Sequence, residues 1–295
     1  MSMIKITEKS LADLEFPVER EQISELCVTD PGKAKALEIT PYKNYKKTYF
    51  GLHQTNEYVS SKMQESPIPN HGFDQINNEL KLLNIEETIL EVSGFRKIAG
   101  LSETVNTQIR YFNKFQQIYP NLHQTVSEIE YTTVLIDQIN KIVDRFGEIK
   151  DDASPLLQQT RRAINQVKGK INSSFASALS SYSSYGYLDE IRESIVDNVR
   201  VLAVSAMHRR KVKGLILGNS KTGSIVYIQP EATQSHQREL NNLQYDEQEE
   251  VKRILKTLTD FVRPFIPLLK DYQKLLSTID VISAKAKYAK KLDAV

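Results

Sequence analysis

The chain has 295 residues, 40% of them hydrophobic and 26% charged, with a formal net charge of +2. Eleven glycines and ten prolines are too few for a collagen-like, linker-rich or many-turned all-β chain. One cysteine, Cys27, excludes an internal disulfide framework and a thiolate zinc site, and no apolar run approaches the ~18 residues that a membrane helix needs.

The opening residues, MSMIKITEKS, lack the apolar core of a secretory leader, so the cytoplasm is the expected compartment. Residues 1–150 predict a run of helices. Leu11, Leu14, Phe16 and Val18, with Ile23 and Leu26, predict the apolar faces of an opening helical pair. Breaks follow at Asp30-Pro31-Gly32, Thr40-Pro41, Ser66 to Asn70 and Tyr119-Pro120-Asn121. Between them Leu80, Leu83 and Leu90, then Ile98, Leu101, Val105, Ile109 and Phe112, then Ile129, Ile136, Ile139 and Val143 recur at helical spacing. This is a packed helical core, and nothing in it requires a ligand.

A boundary follows. Ser154-Pro155 is a helix start, serine as N-cap and proline at the first helical position, and the next proline is Pro230. Leu157, Ile164, Ile171 and Ala178 fall seven apart, thickened by Val167 and Phe175, on an otherwise polar helix. A stripe that narrow suits a coiled coil, and ~25 residues of it would reach ~35–40 Å. Leu240, Leu243, Val251, Ile254, Leu258 and Phe261 supply a second arm, with a polar gap between Leu243 and Val251 where the arm is expected to flex. The arms can pair antiparallel if the chain between them folds back. VRVLAV (199–204), VKGLIL (212–217) and SIVYIQ (224–229) predict short strands, divided by a turn at MHRRK and a glycine-containing turn at GNSKTG. The fold class read from the sequence is thus mainly α: a helical core (1–150 and 262–295) with an inserted antiparallel coiled-coil arm (151–261) bearing a small antiparallel β-meander at its tip.

Charge divides along the same line. Residues 153–221 carry 11 basic and 4 acidic side chains, against 28 and 33 in the rest, an asymmetry that points to a polyanionic partner for this stretch. Arg209, Arg210, Lys211 and Lys213 crowd one turn and Lys221 the next, a compact patch able to contact phosphates without reading bases. Arg161, Arg162, Lys168 and Lys170 along the arm are secondary candidates. No aromatic residue is interleaved with Arg209 to Lys213 in sequence, which argues against single-strand stacking. The competing reading is a structural coiled coil whose tip is charged for solubility.

No catalytic constellation is visible. The five histidines, His53, His71, His123, His208 and His236, are scattered and read as surface or turn residues, not as metal ligands or bases. Asp151 and Asp152 read as favourable charges before a helix start, and Cys27 as a small buried hydrophobe. Gly218 to Gly223 looks like a phosphate loop, but its lysine lies inside the loop and a β-rich segment follows it.

Four stretches carry a resemblance. SLADLEFPVEREQISELC (10–27) resembles the opening of MutS-like proteins of the bacterial branch associated with suppressing recombination. VDRFGEIKDDASPLL (143–157) resembles that branch's junction between core and clamp, KVKGLILGNSKTGSIVYIQPEATQSHQRELNNLQYDEQEE (211–250) its clamp tip and descending arm, and IDVISAKAKYA (279–289) its helix leading toward the ATPase domain. The resemblance implies a lever-like helical core and a clamp that closes over duplex or branched DNA, with Arg209, Arg210, Lys211, Lys213 and Lys221 at the contact. It also implies an ATPase domain using ATP and magnesium, expected soon after Ala289 and therefore beyond this chain, and a homodimer for the longer protein. No cofactor, metal or enzymatic activity is expected of the chain itself. Phe146-Gly147-Glu148 matches the letters of a mismatch wedge at an unsuitable place, so mismatch recognition is not expected. Because the same branch includes ribosome-directed members, an RNA partner is the alternative implied.

Overall fold

A computed structural model describes residues 6–62 and 66–294; the first five residues of the opening segment read above lie outside them. The fold is mainly α, with a small antiparallel sheet, as the sequence predicts. The chain divides into two compact units, Met1–Lys150 with Leu255–Val295, and Asp151–Ile254. Among the described residues no helix is long and apolar enough to cross a membrane.

The helical unit holds α1 (Glu8–Asp13), α2 (Phe16–Glu25), α3 (Asp30–Leu37), α4 (Tyr45–Ser61), α5 (Asn77–Leu83), α6 (Val92–Lys114), α7 (Pro120–Val126) and α8 (Val134–Ile142). Two expected breaks are helix starts. Thr29 caps α3 by accepting from the Gly32 N–H, with Pro31 in the first turn, and Pro120 opens α7. The opening pair forms, but Leu14 and Val18 face solvent, since Leu14 is the C-cap of α1 and α2 is too short to bury both its sides. The core is built on α6, where Phe95, Ile98, Leu101, Val105, Ile109 and Phe112 form the interior face.

A buried carboxylate joins the two ends of this unit. Asp280 has no exposed surface. It accepts from the backbone N–H groups of Val28 (3.0 Å) and Thr29 (2.9 Å) and from the Thr29 hydroxyl (2.6 Å), and it meets His71 Nε2 at 3.1 Å. His71 is therefore a buried residue and not a surface or turn histidine. Its partner lies 209 positions away, too far for local pattern to find. A Cβ on Gly32 would overlap the Asp280 carboxylate, which explains a glycine in the first turn of α3. Burial pushes the Asp280 carboxyl up, but these hydrogen bonds outweigh it and hold the group below the ordinary carboxylate range.

The second unit begins with α9 (Pro155–Ser184), capped by the Ser154 side chain accepting from the Leu157 N–H. Four strands follow: β1 (Leu188–Val196), β2 (Val199–Ser205), β3 (Gly214–Asn219) and β4 (Ile225–Pro230). All pairings are antiparallel, in the order β1-β2-β4-β3, so the chain passes from β2 to the far edge and returns between them. β1 is not apparent in the sequence because its apolar residues are diluted by Asp189, Glu190, Arg192 and Glu193. Asp197 and Asn198, both at positive φ, close the β1–β2 hairpin and are the available signal. Leu202, Val204, Val226 and Ile228 bury one sheet face with Phe175 of α9.

The return arm is α10 (Glu231–Val262). Ile164 and Val167 pack with Leu240 and, less deeply, Leu243; Arg161 meets Glu247 at 2.7 Å and Ser154 meets Glu250 at 2.6 Å. Numbers rise along one helix as they fall along the other, so the arms are antiparallel. The polar gap between Leu243 and Val251 holds a paired layer: Glu250 is buried against Ser154 and takes the Arg253 guanidinium. Leu258, read as an arm position, is buried in the core of the helical unit, and Phe261 packs partly buried against it; the second unit's last residue is Ile254. A 3₁₀ turn (Arg263–Phe265) leads into α11 (Ile266–Lys291). Arg263 ties that corner by donating to the carbonyls of Leu83, at the end of α5, and of Ile85 and Thr88 beyond it.

Candidate nucleic-acid interface

β2 ends at Ser205, and residues Ala206–Lys211 turn as a 3₁₀ helix before the chain enters β3. MHRRK is thus not a hairpin turn but a crossover carrying the chain to the other edge of the sheet. The Ala206 N–H donates to the Ser224 carbonyl (2.9 Å), fixing the start of the crossover beside the β3–β4 turn that carries Lys221. At its end Val212 is buried and the Lys213 N–H donates to the Tyr182 hydroxyl (3.2 Å).

Lys221 therefore stands at one end of β3, Lys213 at the other, and Arg209, Arg210 and Lys211 between them. A six-residue strand spans ~17–20 Å, so Lys221 and Lys213 stand about that far apart along the sheet, with the crossover that carries Arg209, Arg210 and Lys211 leading from one end to the other. All five are exposed, and among the described residues none is in an ion pair. Arg162, Lys168 and Lys170 are likewise exposed on α9. Arg161 differs, because it is held between Glu247 and Asp151 (2.5 Å); burial pulls its pKa down, but the two carboxylates outweigh it and raise it. Its charge is largely balanced within the arm. Asp151, read as a helix-start charge, is the other half of that pair. Arg200, also basic in this stretch, is paired with Glu193 and lies over the Phe175 ring.

Sequence reasoning misses the aromatic side of this surface. Tyr182, Tyr185 and Tyr187 lie where α9 ends, and the fold brings them to the crossover from more than twenty residues away. The Tyr187 carbonyl accepts from the Ser205 N–H (3.1 Å). Its ring lies 5.0 Å from that of His208 and 5.5 Å from that of Tyr185, with the Lys211 ammonium 5.2 Å from its centroid. The run Tyr182-Ser-Ser-Tyr-Gly-Tyr187 is the visible signal. Beside it an open groove of about 630 Å³ runs past Ser174, Ser177, Ser181, Tyr182, Lys213 and Glu231.

The surface holds no nucleotide fold. Gly218 to Gly223 spans the end of β3 and the turn into β4, so no helix N-terminus follows this loop to receive a phosphate. Among the described residues no cluster of His, Cys, Asp or Glu could hold a metal ion.

No family model matches the chain. Individual proteins do. It is 25% identical over 294 residues to an endonuclease MutS2 of Staphylococcus carnosus, covering 97% of this chain and 37% of that protein. It is 26% identical over 286 residues to one of Ruminiclostridium cellulolyticum (96% and 36%), and 27% identical over 292 residues to one of Carboxydothermus hydrogenoformans (98% and 37%). The chain is similar to these proteins over nearly its whole length. It spans a little over a third of the length of these relatives, and the region of similarity includes both units and the whole row of cations.

Proposed function

We propose that this chain is the core-and-clamp region of a MutS2-like protein and that the exposed row Lys221, Arg209, Arg210, Lys211 and Lys213 grips the backbone of DNA, duplex or branched. The observation that carries the reading is the contrast within one unit: Arg161 and Arg200 are matched to carboxylates, whereas the five cations of the row are exposed and unmatched among the described residues. Like charges held in a row repel one another, and a polyphosphate relieves that repulsion while releasing its own counterions. The mechanism is electrostatic capture with little base readout. Arg162, Lys168 and Lys170 extend the same charge down α9, with Arg161 contributing least. The relatives' name, endonuclease, supports a nucleic-acid partner. In the longer protein an ATPase domain with ATP and magnesium, and a second subunit, would set when the clamps close.

The test is fluorescence anisotropy of the chain with duplex DNA, branched DNA and structured RNA across a salt series. Changing Arg209, Arg210, Lys211 and Lys213 together to Glu should abolish duplex binding or reduce the slope of log K against log salt by about 3–4, roughly 0.9 for each phosphate no longer neutralised. Binding of structured RNA well above either DNA would transfer the reading to a ribosome-directed clamp. An unchanged slope would refute the proposed grip.

A further inference from the structure

Tyrosines and cations meet on one surface, an arrangement that backbone capture does not require. Double-stranded DNA offers phosphates on its outside and hides its base faces, so a ring beside a phosphate-binding row gains nothing from an intact duplex. An unpaired nucleobase offers a π-face that any aromatic side chain can stack on, whatever the sequence. Tyr187 is already engaged: its backbone is tied to β2, and its ring is occupied by His208 and Lys211. Tyr185, the next ring outward, is 65% exposed, tilted 31° to Tyr187, and contacts no other ring among the described residues. A tyrosine this open, held at the end of a helix against a second ring, is an outward-facing platform.

The geometry points to unpaired nucleotides as a second ligand class for the clamp tip: a base stacks on Tyr185 while its flanking phosphates lie along Arg209, Arg210 and Lys211. Polarity follows from the neighbouring charges. Asp189 and Glu190 begin β1 just after Tyr187, so phosphates are repelled from that side and drawn to the crossover. The groove past Ser181, Tyr182 and Lys213 offers hydroxyls and one cation to the sugar and base of the next nucleotide, with the Glu231 carboxylate in its lining keeping the phosphate toward the crossover. This inference rests on the backbone-gripping function proposed above and sharpens it: the preferred substrate is a junction, gap or loop where paired and unpaired strands meet. The same chemistry would serve single-stranded DNA or a looped-out RNA base.

The experiment uses the 295-residue chain with four probes carrying 2-aminopurine: a duplex, a gapped duplex, a single-stranded DNA and a single-stranded RNA. The expected result is tighter binding and fluorescence quenching for the probes with unpaired bases, DNA against RNA deciding the source. Tyr185→Ala should weaken binding of the unpaired probes about tenfold and remove the quenching, leaving duplex affinity and the salt slope unchanged; Tyr185→Phe should retain both. Circular dichroism checks that the variants fold, which the exposure of Tyr185 favours. If wild type and Tyr185→Ala bind unpaired probes equally while Arg209→Glu/Arg210→Glu abolishes duplex binding, the stacking proposal fails and the backbone grip stands. If the charge reversal leaves duplex binding intact, the backbone grip fails, and this inference with it.

Discussion

Replacing Asp280 is the sharpest test of how the helical unit is held together. The carboxylate serves four donors, the N–H groups of Val28 and Thr29, the Thr29 hydroxyl and His71, and all but Val28 belong to buried residues. Asp280→Ala leaves them without an acceptor. A buried donor left unsatisfied costs about 1–3 kcal/mol, but the four share one cavity and will not add, so a loss of roughly 3–5 kcal/mol is expected, at the high end for a single substitution that breaks a buried hydrogen-bond network. For a unit of this size that corresponds to a fall in Tm of roughly 6–20 °C. Asp280→Asn keeps the shape but turns a donor toward donors, and should lose most of the same amount. The pH dependence has a definite sign. Because the folded carboxyl lies below its ordinary value, its stabilisation is complete above the unfolded pKa of about 3.9 and is lost as pH falls through the folded value. Urea unfolding of wild type and Asp280→Asn from pH 7 to pH 3 should show a constant gap above about pH 5 that begins to narrow as the pH falls below about 4. A gap under about 1 kcal/mol at pH 7, or one that widens as the pH falls from 5 to 3, would refute the reasoning.

Glu250→Ala should destabilise the arm by about 1–3 kcal/mol in urea unfolding, chiefly through the buried Ser154 bond, since Arg253 is exposed and its pair counts for little; an unchanged midpoint would show that the polar layer is not structural. Gly214→Ala places a Cβ inside the Gln229 carbonyl oxygen, whereas nothing lies within 4 Å of one at Gly169 of α9. The first should lower the Tm, and the second should leave it unchanged or raise it by the helix preference of alanine, up to about 1 kcal/mol; equal effects would contradict the packing described for β3 and β4. The Cys27 thiol, pushed up to about 12 by burial and by the Asp280 charge, should resist iodoacetamide at pH 8 until urea unfolds the unit, and equal labelling rates before and after unfolding would show that it is not shielded.

Features that repeat along the chain are legible in the sequence, and those that depend on distant partners are not. The heptad spacing of Leu157, Ile164 and Ile171 and the Ser154-Pro155 start announce α9, because a helix surface is written in residues three and four apart. Leu202, Val204, Val226 and Ile228 announce the sheet core in the same way. The strand order does not follow, since nothing local says that β4 rather than β3 lies beside β2. The site is half legible. Arg209 to Lys213 stand out as a run, but their spread into a row, the neutralisation of Arg161 by Glu247 and the arrival of Tyr185 and Tyr187 all depend on the crossover and on the register of the two arms. His71 gives no sign at all, because its role is set by Asp280 at the other end of the chain.

The most direct test of the phosphate grip is lysine footprinting: acetylation of the chain with and without a duplex, read residue by residue by mass spectrometry. Lys211, Lys213 and Lys221 should be strongly protected, Lys168 and Lys170 partly, and the lysines of the helical unit not at all. Protection confined to the helical unit, with the crossover lysines as reactive as in the free chain, would contradict a clamp that holds DNA through the end of its arm.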